Sequence, residues 1–576
     1  MPLQESLHAL EIGGGKKWIQ ASTMLMCYLG LTLLYFVTQF HGFNQPEAMD
    51  CAQLGRQMSR GDGYTTKFIR PSQLAQMASL TPDGKVNALV QPEIMHAPLY
   101  PMVLGLVFQV AGTEFNQTPS KMMADMSYPP ERPIVIFNLL CLFLTGTILY
   151  VLALRIFDSR VAFVAAGAYV VCDLIWQFAI SGISTSLVML FVTGMLACLN
   201  EALLANESEN GKGVLAWMVV SAGCLGLAIL TRLMLLWMVP PFLGFIFFNF
   251  RHRLIVPIIG TVMLVVAVAP WLYRNYTVSG SVVGGNLTWT MEDGSGKFSA
   301  ERSYTYTPEV AWARSNHRKV IFGTKYMFMH GFELLGASAI VLMFAVSFFH
   351  PFKRSRARWL RVFVLVSALF MVLGTSVVRA QCDPLEDWNN LVLLWPGFAI
   401  FGAAFFYVLL ERLDLQMVIA RYGVIALFLL ICALPMMVTL MPPRPSPYQY
   451  PPYFPPMIRT VSQMMKTDEV IMSDMPWATA WYGDRVSLWM PHDIKEFYSI
   501  NDSQHVISGL LLTPISWSWP LMEIDRGEAD WAPMIRRQTL PRGFPLDAYT
   551  ALPPNRNEYT FFSDRMRWRE DMKEAK

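Results

Sequence analysis

The chain has 576 residues, 54% of them hydrophobic and only 15% charged, with a formal net charge of +3. Soluble globular proteins carry about 25% charged residues, so this composition excludes one. The near balance of charge gives no sign of a nucleic-acid partner, and the apolar residues gather in runs of about 20, the length that crosses a bilayer.

In chain order, Lys16 and Lys17 precede an apolar run with no small-residue cleavage site after it, which reads as a signal anchor. Eleven spans are expected, at 18–40, 133–154, 161–179, 184–203, 214–231, 233–250, 254–273, 331–349, 359–378, 391–410 and 418–441. With the N-terminus inside, the short loops facing the cytoplasm carry Arg155 and Arg160, Lys212, Arg251 and Arg253, Lys353 to Arg361, and Arg412 and Arg421. That satisfies the excess of Lys and Arg on the inner side. The long segments 41–132, 274–330 and 442–576 then face outward, and the C-terminus is outside. Segment 98–112 is apolar but short for a crossing, and is expected to lie in the interface. Counting it as a span would turn the basic cluster at 353–358 outward.

These readings divide the chain into a transmembrane module at 1–441, a Pro-rich linker at 442–456 and an extracytoplasmic α/β domain at 457–576. Within the last, Val470-Ile471-Met472-Ser473-Asp474, the stretch from Arg485 to Pro491, and the stretch from His505 to Thr513 read as strands. Six cysteines fall inside spans, and none shows metal-binding spacing. Cys51 and Cys382 fall outside the spans on one side, which leaves a disulfide between them open.

The chemistry is expected in the first long loop. Glu47 and Asp50 follow Pro46 at i and i+3, on one face of a helix that starts there. Such a carboxylate can act as general base or hold a divalent cation. The competing reading is a helix-start charge and a solvated surface acid. Further on come Gly61-Asp62-Gly63-Tyr64, Arg70-Pro71, Glu93 and His96-Ala97-Pro98-Leu99-Tyr100-Pro101. Asp173 lies inside a span, where an acid is expensive and usually functional. His330 with Glu333, and the loop holding Arg379, Asp383, Glu386, Asp387 and Trp388, are minor polar candidates.

An acid after the first span, a short helix, Gly-Asp-Gly-Tyr and then His-Ala-Pro-Leu-Tyr-Pro resembles the first extracytoplasmic loop of GT-C glycosyltransferases, in the protein O-mannosyltransferase-like and aminoarabinose-transferase-like branch. Pro270-Trp271-Leu272-Tyr273-Arg274-Asn275 resembles that branch's Pro-Trp-x-x-Arg-Asn signature, and Leu230-Thr231-Arg232 its Thr-Arg turn. The resemblance implies a GT-C membrane fold and transfer of a sugar from a polyprenyl-phosphate carrier to a lipid, glycan or protein acceptor outside the membrane. It implies Asp50 as general base, with Glu47 beside it. The leaving phosphate needs cations, for which Arg274, Arg232 and His96 are the candidates. Relatives place a lysine where His96 stands, and many carry a second acid after the third span. Here that loop has none; Asp173 is the candidate replacement, or else it hydrogen-bonds its neighbours Trp176 and Gln177.

No cofactor is implied with certainty; a divalent metal is compatible, with Glu93 and His96 as candidate ligands. The chain has no Walker loop, dinucleotide glycine pattern, HExxH or GxSxG. A transporter or flippase is the alternative, and would need polar residues at mid-depth; apart from Asp173 the spans carry few ionisable groups. A scaffold whose outer domain recruits partners would leave the first loop unexplained. Glu574-Ala575-Lys576 is no endoplasmic-reticulum retrieval signal, so a bacterial inner membrane is expected.

Overall fold

The structure is a computed structural model that describes residues 14–251, 254–285, 300–305, 317–442, 448–450, 452–517, 531–537, 539–552 and 559–567. The readings that rest on Arg253, on 443–447 and 451 of the Pro-rich stretch, on 286–299 and 306–316, and on Glu574 to Lys576 lie outside the described residues.

Among the described residues, six helices are long and apolar enough to cross a membrane: Glu131–Ile156, Thr185–Glu207, Gly211–Thr231, Ile255–Ser279, Ser355–Val378 and the Asn390–Arg412 stretch. They stand where six of the eleven spans are expected. A seventh, 161–179, is a pair of helices, Ser159–Val170 and Asp173–Ser181, bent by 54°. The first expected span, 18–40, is one helix, Gly14–Thr38. At the other three positions the apolar helices are shorter, and each has a local cause. After Arg232 turns extended, the chain runs as a 3-10 helix over Leu233–Met238 before Pro240 and Pro241 open the helix Val239–Asn249. The expected span 331–349 is interrupted where Gly336 and Ala337 take positive φ. Pro435 restarts the last one, as Leu434–Thr439 after Val418–Cys432. Among the described residues, length and composition therefore support six or seven crossings by single elements; the count of eleven needs the first helix and the broken ones.

The first long loop opens with helix α1, Pro46–Arg60. Proline at its first turn presets φ, and Gly61 at φ 86 closes it. Residues 48–57 of α1 are all buried. The apolar segment after Pro98 is helix α2, Leu99–Val110, and it lies on α1. Gly55 and Gly105 form the crossing: a Cβ on Gly55 would stand 2.8 Å from the Leu104 Cβ. The outer face of α2, with Met102, Leu106 and Val110, is exposed and apolar.

The tail builds a six-stranded sheet that takes one edge strand from the first loop. Its members are β1 (Phe68–Ile69, from the first loop), β2 (Val470–Ser473), β3 (Ser487–Trp489), β4 (Ile507–Leu512), β5 (Ala548–Ala551) and β6 (Thr560–Ser563), in the order β1-β3-β2-β4-β6-β5. The pairs β1–β3, β3–β2 and β2–β4 are parallel, and β6 runs antiparallel between β4 and β5. Phe68 faces Ser487 in register, and Met472 pairs with both Leu488 and Leu510. Every residue of β2 and β4 is buried, which explains why they read as unbroken apolar runs rather than alternating ones. All three stretches read as strands in the tail are strands. All eight cysteines are free, Cys51 and Cys382 included.

Helix α3, Pro476–Gly483, follows β2 and packs on α1. The contact is polar at its centre. Arg56 of α1, with no exposed surface, donates from Nη1 to the Trp481 carbonyl and from Nη2 to the Ala480 carbonyl, each at 2.7 Å. Asp484, just past α3, accepts from Arg56 at 3.2 Å, Arg60 at 2.8 Å and Lys67 at 2.5 Å. The tail and the first loop are thus joined by a strand and by an ion cluster.

Candidate active site

Along α1 the polar residues Asp50, Gln53 and Arg56 recur every three positions, so they share one inward face. Asp50 is 1% exposed, which removes the surface-acid reading of it. A buried carboxylate must be compensated, and each oxygen has its own partners. Oδ1 accepts from Gln53 Nε2 at 3.0 Å, and Oδ2 lies 2.7 Å from Arg70 Nη2. Gln53 is itself fixed, donating to Thr66 Oγ1 at 2.9 Å and accepting from the Lys67 amide at 3.1 Å. Arg70 also holds Glu301 at 3.0 Å, with its guanidinium 4.1 Å above the Phe68 ring.

His96 closes the cluster. Its Nε2 lies 3.0 Å from Glu47 and 3.5 Å from Asp50, and its Nδ1 lies 3.1 Å from Glu93. Glu93 is fully buried, and its Oε1 also accepts the Met95 and His96 amides at 2.6 and 2.9 Å. Three carboxylates therefore share two cations. Burial opposes charge on the imidazole, but Glu47, Asp50 and Glu93 outweigh it and raise the His96 pKa well above the ordinary value. Burial also opposes ionisation of Glu47 and Glu93, yet the His96 charge, with Arg70 behind it, holds each down at about 2. Asp50 goes the other way: burial and the two neighbouring acids overcome the pull of His96 and Arg70, and its pKa rises. Of the three acids, Asp50 alone is pushed toward the range where a carboxylate takes and returns a proton near neutrality.

Arg274, at the end of Ile255–Ser279, reaches the same place. Its Nη1 donates to the Glu93 carbonyl at 2.5 Å, and its guanidinium lies 4.9 Å from the Trp271 ring and 5.5 Å from the Tyr64 ring. Tyr64 in turn donates to the His96 and Ala97 carbonyls at 3.2 Å. The motifs singled out in the sequence thus converge: Glu47 and Asp50, Tyr64, Glu93 and His96, Trp271 and Arg274.

Two expected residues have other work. Arg232 donates to Ser184 and Thr185 at 3.0 Å each, to Asn390 at 3.4 Å and to the Asp387 carbonyl, so its fork joins three segments. It stays close enough to help keep Glu47 ionised. Asp173 accepts from Tyr35, from Gln177 at 2.6 Å and from Thr439 at 2.7 Å. Its oxygens are satisfied by its own helix and two others, and it does not supply the second acid of the cluster; Glu47 and Glu93 stand there instead. Asp387 lies behind Arg232, pushed up to about 6 by burial and by Glu47. His330 and Glu333 pair with each other at 3.1 Å on the exposed surface. Arg70 is the site residue that sequence reasoning missed, since nothing in Arg70-Pro71 points to a partner 20 positions back.

The ligand atoms of Glu47, Cys51 and His96 lie within 4.8 Å of one another, a donor set of carboxylate, thiol and imidazole that suits a divalent transition metal.

Residues 121–273 match the family model of dolichyl-phosphate-mannose-protein mannosyltransferase. No curated protein matches the chain in sequence. Among solved structures, ArnT from Cupriavidus metallidurans in the apo state is similar in fold, with 11% identity, a TM-score of 0.56 and coverage of 95% of this chain and 98% of that one. The same protein bound to undecaprenyl phosphate gives a TM-score of 0.54 at 11% identity over 96% and 98%. The Archaeoglobus fulgidus oligosaccharyltransferase, tethered with an acceptor peptide, gives 0.55 at 11% identity over 96% of this chain and 75% of that one. The chain therefore shares the fold of ArnT and of this oligosaccharyltransferase, and six helices among its described residues are long and apolar enough to cross a membrane.

Proposed function

We propose that the protein is a glycosyltransferase that moves a sugar from a polyprenyl-phosphate donor to an acceptor on the extracytoplasmic face of the membrane, with Asp50 as general base. The observation that carries this reading is the cluster itself. A buried aspartate with a raised pKa is held from both oxygens and sits among residues that the resemblance had selected for this role. The undecaprenyl phosphate bound to a protein of the same fold adds the donor class.

In this reading the acceptor's hydroxyl or amine gives its proton to Asp50 as its lone pair attacks the anomeric carbon. The bond from that carbon to the phosphate oxygen breaks, and the carrier phosphate leaves with the electron pair. Arg274 is the cation for that phosphate. It spends Nη1 on Glu93 and Asn275, and its other N–H groups have no partner among the described residues. Arg232 acts indirectly, fixing the loop that carries Asp387. His96 is enclosed by three acids and serves their geometry more than a phosphate. The eleven-span thread, with the N-terminus inside, belongs to this proposal and rests on the basic inner loops.

The test is transfer from a synthetic short-chain prenyl-phosphate sugar by purified protein in detergent. Asp50→Asn is expected to insert and purify like the native chain and to lose transfer by at least a hundredfold, the low end of a general base's share. Native-level transfer by that variant would remove Asp50 from the mechanism.

A further inference from the structure

Glu47 and Cys51 lie at i and i+4 of α1, so their side chains meet on one face, with Cys51 Sγ 3.5 Å from Glu47 Oε1. His96 Nε2 comes to that same oxygen at 3.0 Å from another segment. Around a tetrahedral metal with bonds of about 2.0–2.3 Å, neighbouring ligand atoms stand roughly 3.2–3.8 Å apart. The three side chains are already close to that spacing, within 4.8 Å overall.

A second observation is independent of the trio. Glu93 accepts from Nδ1 of His96 and is itself clamped by two backbone amides. Metal-bound histidines characteristically give their other nitrogen to a carboxylate, which fixes the tautomer and turns the free nitrogen toward the ion. Glu93 does this for Nε2, and Nε2 faces Glu47, Cys51 and Asp50.

We propose that Glu47, Cys51 and His96 form a three-ligand site for a thiophilic divalent cation of the zinc class, with the open position beside Asp50. Thiolate and imidazole select such an ion over magnesium, which prefers an all-oxygen shell. On binding, the Cys51 thiol gives its proton to solvent, since the thiolate is the ligand. When bound, the ion would supply Lewis acidity toward a phosphate or acceptor oxygen. The inference rests on the transferase reading for its purpose, but its test reads metal and not sugar transfer.

The full-length protein, stripped with a chelator, is titrated with Co²⁺ and with Zn²⁺ in weakly buffered detergent. The expected result is one equivalent of Co²⁺ with a near-ultraviolet thiolate charge-transfer band, displacement by Zn²⁺, and no competition from millimolar Mg²⁺. Cys51→Ser should abolish the band, Glu47→Gln should weaken Zn²⁺ binding at least tenfold, and Glu93→Gln should weaken it about 10- to 100-fold. Cys382→Ser, at a buried thiol elsewhere, should keep the band. Absence of Co²⁺ binding, an unchanged band in Cys51→Ser, or equal competition by Mg²⁺ overturns the proposal. If Asp50→Asn loses transfer while the native protein binds no metal, the transferase reading stands and this one falls.

Discussion

Asp484→Asn tests how the tail holds the first loop. Asp484 sits at φ 57, a left-handed conformation that asparagine also tolerates, so the change alters charge and leaves the backbone in place. Its three cations differ in exposure: the Arg56 side chain is 0% exposed, that of Lys67 21% and that of Arg60 34%. Removing one partner of a buried pair costs about 3–5 kcal/mol. Arg56 keeps its two carbonyl acceptors and Asp484 is itself 19% exposed, so the Arg56 share falls to about 2–3 kcal/mol. Arg60 and Lys67, partly hydrated, add roughly 0.5 kcal/mol each. The expected loss is about 3–4 kcal/mol.

The control is Glu209→Gln. Its pair with Arg251 is as short, at 2.6 Å, but is 73% and 69% exposed, and the expected loss is about 0.5 kcal/mol or less. The assay is denaturant unfolding of the full chain in detergent, followed by tryptophan fluorescence, since Trp477 and Trp481 lie in α3. The pH dependence has a definite sign. Burial works against ionisation of Asp484, but Arg56, Lys67 and Arg60 outweigh it and hold its pKa far below the ordinary value. A folded pKa below the unfolded one stabilises fully above the unfolded value, about 3.9, and that contribution is lost as pH falls from there toward the folded value. The gap between native and Asp484→Asn should therefore be flat from about pH 5 upward and narrow below about pH 4. A gap no larger than that of Glu209→Gln refutes the argument.

Gly182→Ala should destabilise by about 3 kcal/mol in the same assay. Gly182 has φ +83, which costs alanine about 1–2 kcal/mol. The new Cβ would also stand 2.4 Å from the Phe43 ring, adding an overpacking cost of about 1–3 kcal/mol. Gly55→Val should separate α1 from α2 and reduce transfer more than tenfold while the protein still inserts, because the Gly55 Cβ would already meet Leu104 at 2.8 Å. Arg232→Lys cannot reproduce the fork to Ser184, Thr185 and Asn390, and should lower both stability and transfer. Unchanged transfer in either variant would show that these contacts do not position the site.

Sequence made the long apolar helices legible because 20 apolar residues in a row leave few alternatives. It made the broken ones look whole, since Pro240, Pro435 or Gly336 alters backbone direction without altering hydropathy. The tail strands β2, β3 and β4 were legible as apolar runs. Strand β1 was not, because two residues of a polar loop carry no period, and they pair with a partner more than 400 positions away. In the site, Glu47, Asp50, Glu93 and His96 were readable as types and in their order. Their compensation by Arg70 was not, since an arginine before a proline carries no long-range address. Asp173 was readable in two ways, as a replacement acid or as a hydrogen-bond partner of its neighbours; Gln177 donates to it as the second reading has it, while the donors Tyr35 and Thr439 lie too far along the chain to be read.

The polar face of α1 explains why loop and tail come as one device. A helix with ten consecutive buried residues has no solvent to satisfy Asp50, Gln53 and Arg56, so each must find a fixed partner. Asp50 finds Arg70 at the end nearer the membrane helices; Gln53 finds Thr66 and the Lys67 amide in the middle; Arg56 finds the Ala480 and Trp481 carbonyls on the tail. Turning α1 by a single residue, about 100°, would strand all three at once. Each unpaired buried group would cost about 1–3 kcal/mol, and more for the two that are charged. The aspartate's direction is therefore set as much by a guanidinium six residues along, locked onto the Ala480 and Trp481 carbonyls, as by the acids and cations around it.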